Sequence, residues 1–269
     1  MTTRTVNPAP AVHVREAGDQ GPLLLCLHGI GSSSESFAAQ LDGLSPVARV
    51  AAWDAPGYGR SPDPEHPLDL DGFADAAAAL IRERGGPAHV VGASWGGVIA
   101  VRLATRHPGL VASLVLADST RGSGTSAEKA AAMRARTGQL AEDGPRVFAG
   151  KRAPRLLSPL APAELVRRAT GIMAGAVRLP GYGCAAESMA ATDLTRELGR
   201  ITVPALVLCG EHDVITGVEE SQIIAGAMPE GVFVIMSGAG HLAHQEQPAA
   251  FNDWVRAHLR IAARVPWSD

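Results

Sequence analysis

Short apolar runs alternate along this chain with longer, alanine-rich amphipathic segments. That rhythm predicts a mostly parallel α/β sheet with helices between the strands. Strands are predicted at Ala11–Glu16, Leu23–His28, Arg49–Asp54, His89–Ala93, Leu114–Asp118, Ala205–Gly210 and Val232–Ser237. Several are continuous stretches of Val, Leu, Ile and Ala with no polar alternation, which marks strands covered on both faces. Helices are predicted at Ser34–Leu44, Asp71–Arg84, Trp95–Thr105, Val218–Ala227 and Ala249–Ile261. His107-Pro108-Gly109 closes the third, because proline cannot continue a helix and glycine tolerates the turn. The run Ala76–Ala79 is a strong helix former and no more than that. No internal repeat interrupts the pattern.

The rhythm breaks between Ser119 and Thr195. That stretch has no strong strand, only helix-like pieces separated by Gly and Pro. It holds nine Arg, two Lys and six acids, so it carries +5, while the chain as a whole carries −3. The remainder is therefore −8. The pattern predicts a core over 1–118 and 196–269, with 119–195 as a helical lid (cap). In open α/β sheets ligands bind outside the carboxyl ends of the strands, where a lid shapes the pocket and excludes water.

At 269 residues the chain fits one large domain, or one domain with a sizeable insertion. A net charge of −3 leaves no basic footprint for nucleic acid. No apolar run reaches the roughly 18 residues of a transmembrane helix. The opening residues MTTRTVNPAP lack the apolar region of a secretory signal. Three cysteines, Cys26, Cys184 and Cys209, cannot build a disulfide framework. The expectation is a cytoplasmic protein that acts on a small molecule, binds neither nucleic acid nor membrane, and is a monomer or homodimer.

The strongest chemical signal is Gly92-Ala93-Ser94-Trp95-Gly96-Gly97, between an apolar strand and a predicted helix. G-x-S-x-G alone is weak, but strand before and helix after is the context a nucleophile elbow requires. The competing reading, a phosphate loop, lacks a G-x-G-x-x-G or G-K-[ST] pattern here. A serine hydroxyl needs a base, and the base needs an orienting acid. Asp213 and His241 supply them in the order Ser…Asp…His. Asp213 follows the apolar run Ala205–Leu208, and His241 follows the next strand in Gly238-Ala239-Gly240-His241. Three strands thus deliver three roles to one rim of the sheet.

Five segments together resemble the α/β-hydrolase superfamily over essentially the full length. They are Leu27-His28-Gly29-Ile30-Gly31, Trp53-Asp54-Ala55-Pro56-Gly57-Tyr58-Gly59-Arg60-Ser61, the Ser94 elbow, Gly210-Glu211-His212-Asp213 and Gly240-His241. The chain is most similar to the small, lidded serine hydrolases: 3-oxoadipate enol-lactonases, carboxylesterases and meta-cleavage-product hydrolases. Haloalkane dehalogenases and epoxide hydrolases share the scaffold but use an aspartate nucleophile, and Ser94 argues against both. The resemblance implies a mostly parallel central sheet flanked by helices, with the lid inserted after the sixth core strand. It also implies an oxyanion hole from the backbone N–H groups of Ile30 and Trp95, and no cofactor. His28 reads as a brace for that loop and Asp54 as a tie within its own turn.

His244 lies three residues from His241, but the Gly-x-Gly-His context favours His241. His212 reads as a loop residue. Asp118 ends a strand where some superfamily members place their triad acid. His13, His66, His89, His107 and His258 show no metal-ligand spacing, there is no H-E-x-x-H, and no catalytic metal is expected. Substrate contacts are assigned to Arg121, Tyr182 and Leu242. The lid's arginines point to a carboxylate-bearing substrate, which guanidinium grips bidentately; the alternative is that they are solvated helix faces. Leu156, Leu157, Leu160, Ile172 and Met173 either line a pocket or glue lid helices together. Ester or enol-lactone hydrolysis leads, because it needs only the triad and oxyanion hole. Carbon–carbon cleavage of a vinylogous diketone is the alternative, weakened by Leu242 where that group often has an aromatic. A small-molecule receptor on the same scaffold, and a haloperoxidase-like side activity, stay open.

Overall fold

The computed structural model describes residues 12–263. Seven strands form one sheet: β1 Val14–Ala17, β2 Leu23–Leu27, β3 Arg49–Trp53, β4 Ala88–Ala93, β5 Val111–Ala117, β6 Ala205–Gly210 and β7 Gly231–Met236. Their order is β1-β3-β2-β4-β5-β6-β7. Only β1 is antiparallel, against β3; the other pairs are parallel. The carboxyl ends of β2, β4, β5, β6 and β7 therefore share one rim.

The two-residue period of a strand sorts its side chains between two hydrophobic layers. Leu23, Leu25, Leu27, Val90, Leu114 and Leu116 pack on one face with α2 Leu70–Glu83 and α3 Trp95–Arg106. Leu24, Cys26, Val91, Val115 and Ala117 pack on the other, with α1 Ala38–Leu44 and α9 Pro248–Ala262. Burial on both faces is why these strands read as unbroken apolar runs.

Between β5 and β6 the chain leaves the sheet to form α4 Ala127–Arg152, α5 Ala163–Ala176 and α6 Gly181–Ala190. Gly144 breaks α4 with φ 68° and ψ 164°, and Pro145 follows it; the proline nitrogen has no hydrogen to continue the ladder. After β6 come α7 Gly217–Ala227 and, past β7, the short α8 Ala243–Glu246.

Three expectations need correction. Among the described residues the helical insertion follows the fifth strand, not the sixth: β1 turns through Gly18 and Gly21, both at positive φ, straight into β2, with no strand between them. The fifth strand starts at Val111 rather than Leu114, because Pro108–Leu110 spends itself in a single 3-10 turn and Val111 already pairs with Ala88. The helix predicted over Ser34–Leu44 opens as a 3-10 turn, Ser34–Phe37, before α1. Of the first predicted strand, Ala11 lies outside the described residues and pairing begins at Val14.

Candidate active site

Ser94 sits between β4 and α3 with φ 52° and ψ −115°, a conformation costly for any residue with a Cβ. Its neighbours make the turn feasible. A Cβ on Gly92 would lie 2.4 Å from the Gly96 oxygen, and one on Gly96 would lie 2.0 Å from the Leu27 oxygen. Strand and helix approach each other more closely than alanine allows. The Ser94 amide donates to the Ala117 carbonyl at 2.8 Å, and the Ser119 hydroxyl donates to the Ser94 carbonyl at 2.9 Å. The backbone is held from both sides while the hydroxyl points away from the sheet.

That hydroxyl lies 3.0 Å from His241 Nε2, and His241 Nδ1 lies 3.0 Å from Asp213 Oδ2. Asp213 sits three residues past β6, where its carboxylate also accepts from the Ile215 amide at 2.8 Å and the Thr216 hydroxyl at 2.6 Å. Burial opposes its charge, yet the hydrogen bonds and charge of His241 and these donors prevail and hold its pKa at about 2. Burial pulls the His241 pKa down, and Asp213 more than reverses it, so the ring titrates above its ordinary value. The His241 loop is pinned to the insertion: its amide donates to the Leu156 carbonyl at 2.8 Å. Glu246 bridges the Gly240 amide at 2.8 Å and the Ser158 amide at 2.9 Å.

Asp118 also ends a neighbouring strand, but its carboxylate accepts from the amides of Gly210 at 2.8 Å and Ala243 at 3.1 Å. It ties the two loops that carry Asp213 and His241. Complete burial, reinforced by Asp213, raises its pKa to about 7. His244 is buried against Phe37, ring centroids 4.9 Å apart, with neither nitrogen hydrogen-bonded. Burial and then the His241 charge push it down to about 3, so it stays neutral. His212 does not line the cavity described below.

On the opposite side of Ser94, the Ala55 amide donates to His28 Nε2 at 2.9 Å, so the other nitrogen, Nδ1, carries the hydrogen given to the Gly29 carbonyl at 2.9 Å. Tyr58 Oη donates to the Ile30 carbonyl at 2.8 Å. Asp54 accepts from Ser34 and Arg60 amides at 2.8 and 2.9 Å. Its tie thus extends beyond its own turn. These contacts fix the carbonyls of Gly29 and Ile30. Among the described residues neither the Ile30 nor the Trp95 amide is spent on an acceptor.

A cavity of about 250 Å³ opens over Ser94, His241 and Ile30, roofed by side chains of α4, α5 and α6. Tyr182, Leu242, Leu156, Ile172 and Met173 line it, while Leu157 and Leu160 do not. Arg121 does not line it either. Its guanidinium grips Glu220, at 3.0 Å from Nε and 2.9 Å from Nη2, and reaches Thr195 at 3.2 Å. Its donors are committed within the protein. Instead Lys129, Arg136 and Arg152 border the cavity. Sequence reasoning missed them, although Lys129, Met133 and Arg136 follow the i, i+4, i+7 spacing of one helix face.

Among the described residues, Asp118, Cys209 and Asp213 place ligand atoms within 4.8 Å of one another. Both carboxylates are already satisfied by the groups named above, and burial pushes the Cys209 thiol up to about 12.

A family model described as the Alpha/beta hydrolase family matches residues 24–254. The chain belongs to that family. This alpha/beta hydrolase is 26% identical over 244 residues to 3-oxoadipate enol-lactonase 2 of Acinetobacter baylyi, covering 89% of each chain. It is 33% identical over 245 residues to 2-(acetamidomethylene)succinate hydrolase of Mesorhizobium japonicum, covering 88% of this chain and 87% of that one. Among solved structures, a thermophilic esterase from Thermogutta terrifontis superposes with a TM-score of 0.84 at 28% identity, covering 93% of both chains. No helix of the described residues is long and apolar enough to cross a membrane.

Proposed function

We propose that this alpha/beta hydrolase cleaves a carboxylic ester or lactone of a small substrate through an acyl-enzyme on Ser94. The observation that carries the reading is the unbroken line from Ser94 Oγ through His241 to Asp213, two contacts of 3.0 Å each, opening into a closed-over cavity. His241 Nε2 takes the Ser94 proton as the oxygen attacks the substrate carbonyl. The negative charge that develops on the carbonyl oxygen meets the Ile30 and Trp95 amides, donors worth about 3–4 kcal/mol each in serine hydrolases. His241 then returns the proton to the leaving alcohol, and a water molecule repeats the sequence on the acyl-enzyme. Asp213 keeps the Nδ1 hydrogen in place and stabilises the imidazolium in both halves.

The cavity volume suits a small ligand, below the roughly 300–1,000 Å³ of drug-sized pockets. A 3-oxoadipate enol-lactonase, a 2-(acetamidomethylene)succinate hydrolase and an esterase among the similar proteins support a hydrolase of esters or lactones. The test is a panel of 4-nitrophenyl esters, lactones and meta-cleavage dienones offered to the purified protein. Turnover of esters or lactones, lost in Ser94→Ala, is expected. Turnover confined to dienones would replace this reading with the carbon–carbon one.

A further inference from the structure

The insertion carries nine arginines, and the structure separates them. Arg121 pairs with Glu220, Arg134 with Glu187, Arg167 with Glu164 and Arg178 with Asp63. Arg146, Arg155 and Arg168 are exposed and border no part of the cavity. Two remain, Arg136 and Arg152. Both are partly buried, both line the cavity above Ser94, and neither meets a carboxylate among the described residues.

Their placement is electrostatically unfavourable as it stands. Burial and then the Arg136 charge lower the Arg152 pKa, and Arg155 adds to it. A guanidinium does not give up its proton at neutral pH, so the repulsion persists instead of being titrated away. The Arg152 guanidinium lies over the Phe148 ring, 5.4 Å from its centroid, which orders the side chain without neutralising it. Arg136 is close enough to His241 to depress that ring's pKa. Lys129 adds a third positive group at the cavity wall, and the one acid there, Glu220, is held by Arg121. An anion between the arginines would relieve this cost, and planar guanidinium groups match a carboxylate edge to edge.

We propose that Arg136 and Arg152 form a carboxylate subsite, so that the substrate is an ester or lactone bearing a free carboxylate held away from the carbonyl that Ser94 attacks. This rests on the ester and lactone reading above and narrows its substrate class.

The experiment compares 4-nitrophenyl hydrogen glutarate with neutral 4-nitrophenyl pentanoate, background hydrolysis subtracted, in the wild type, Arg136→Gln, Arg152→Gln and Arg152→Lys. The wild type is expected to favour the anionic ester in kcat/KM, through a lower KM. Each glutamine variant should lower the anionic-to-neutral ratio roughly tenfold or more, the loss of a charged hydrogen bond. Arg152→Lys should recover part of that ratio. A ratio near one in the wild type, or one indifferent to both arginines, overturns the subsite while leaving Ser94 hydrolysis intact.

Calorimetric titration of full-length Ser94→Ala with glutarate reads the subsite without turnover. Saturable binding, weakened roughly tenfold in the added Arg136→Gln or Arg152→Gln change, supports it even if no ester is cleaved. Absence of saturable binding overturns it. Inorganic phosphate binding as tightly as glutarate overturns the carboxylate assignment in favour of a phosphate.

Discussion

An oxygen of Asp118 lies within 4.8 Å of an oxygen of Asp213, yet only Asp213 faces His241. The two acids close neighbouring strands and differ in what they accept. Asp213 takes its hydrogen bonds from the imidazole and its own turn, whereas Asp118 takes both from loop amides. Asp213→Asn is therefore expected to lower kcat on an activated ester by roughly 10³-fold or more, because it offers His241 the wrong hydrogen-bonding partner. Asp118→Asn should keep kcat within about tenfold while costing about 1–3 kcal/mol of stability, since one side-chain donor then faces a backbone donor. Asparagine tolerates the positive φ of 49° at that position. Steady-state kinetics with urea melts check both, and the reverse pattern would make Asp118 the orienting acid.

The same pair predicts how stability depends on pH. The folded-state pKa of Asp118, about 7, lies above that of an unfolded aspartate. The native state therefore holds that proton more tightly, and the stability Asp118 contributes falls as pH rises from about 4 to about 7. Asp213 acts in the opposite sense and lower down: its contribution is complete above about pH 4 and is lost as pH falls toward its folded pKa of about 2. Buried His244, with its pKa pushed down to about 3, acts in the opposite sense over part of this window, so Asp118 is read from a difference. In thermal melts from pH 4 to 8, the Tm of the wild type relative to Asp118→Asn should fall as pH rises from about 4 to about 7. Identical pH profiles would contradict the buried, proton-binding Asp118.

In the proposed reaction His241 must be neutral to accept the Ser94 proton. Because Asp213 raises its pKa, the acid limb of kcat/KM should titrate above about pH 6.5, with activity lost below it. Arg136 opposes that rise, so Arg136→Gln should move the limb to higher pH, and Asp213→Asn should move it lower. The direction of each displacement, read with a neutral ester, checks the geometry around the ring independently of rate.

At the elbow, Gly96→Ala would drive a Cβ to 2.0 Å from the Leu27 oxygen. Backbone, not a flexible side chain, stands in the way. A loss of about 3 kcal/mol or more, or failure to fold, is expected, in the range of the most disruptive single substitutions. Gly109→Ala, whose Cβ meets nothing within 4 Å, is the matched control and should stay within about 1 kcal/mol of wild type. Equal melts for the two would show that strand and helix have room to part.

Much of this arrangement was legible in the chain because strands buried on both faces are written as unbroken apolar runs. Residues just beyond those runs fall on one rim. Ser94, Asp213 and His241 were placed together by that rule, and the structure brings them within hydrogen-bond reach. The sequence alone points Arg121 at substrate because its partner, Glu220, lies 99 residues later and nothing local announces the pairing. Arg136 and Arg152 were hidden for the complementary reason. Their cavity exists only once α4 folds back over the sheet, and the glycine–proline break at 144–145 disguises a helix running to Arg152. The boundary slip at Val111 came from a proline turn that hands over to a strand without a spacer.

The most direct measurement is covalent labelling by a fluorophosphonate followed by peptide mass spectrometry. The account predicts stoichiometric modification of the peptide carrying Ser94, slowed in Asp213→Asn and in His241→Ala and absent in Ser94→Ala. Equal labelling of wild type and Ser94→Ala, or modification at another serine, would contradict it.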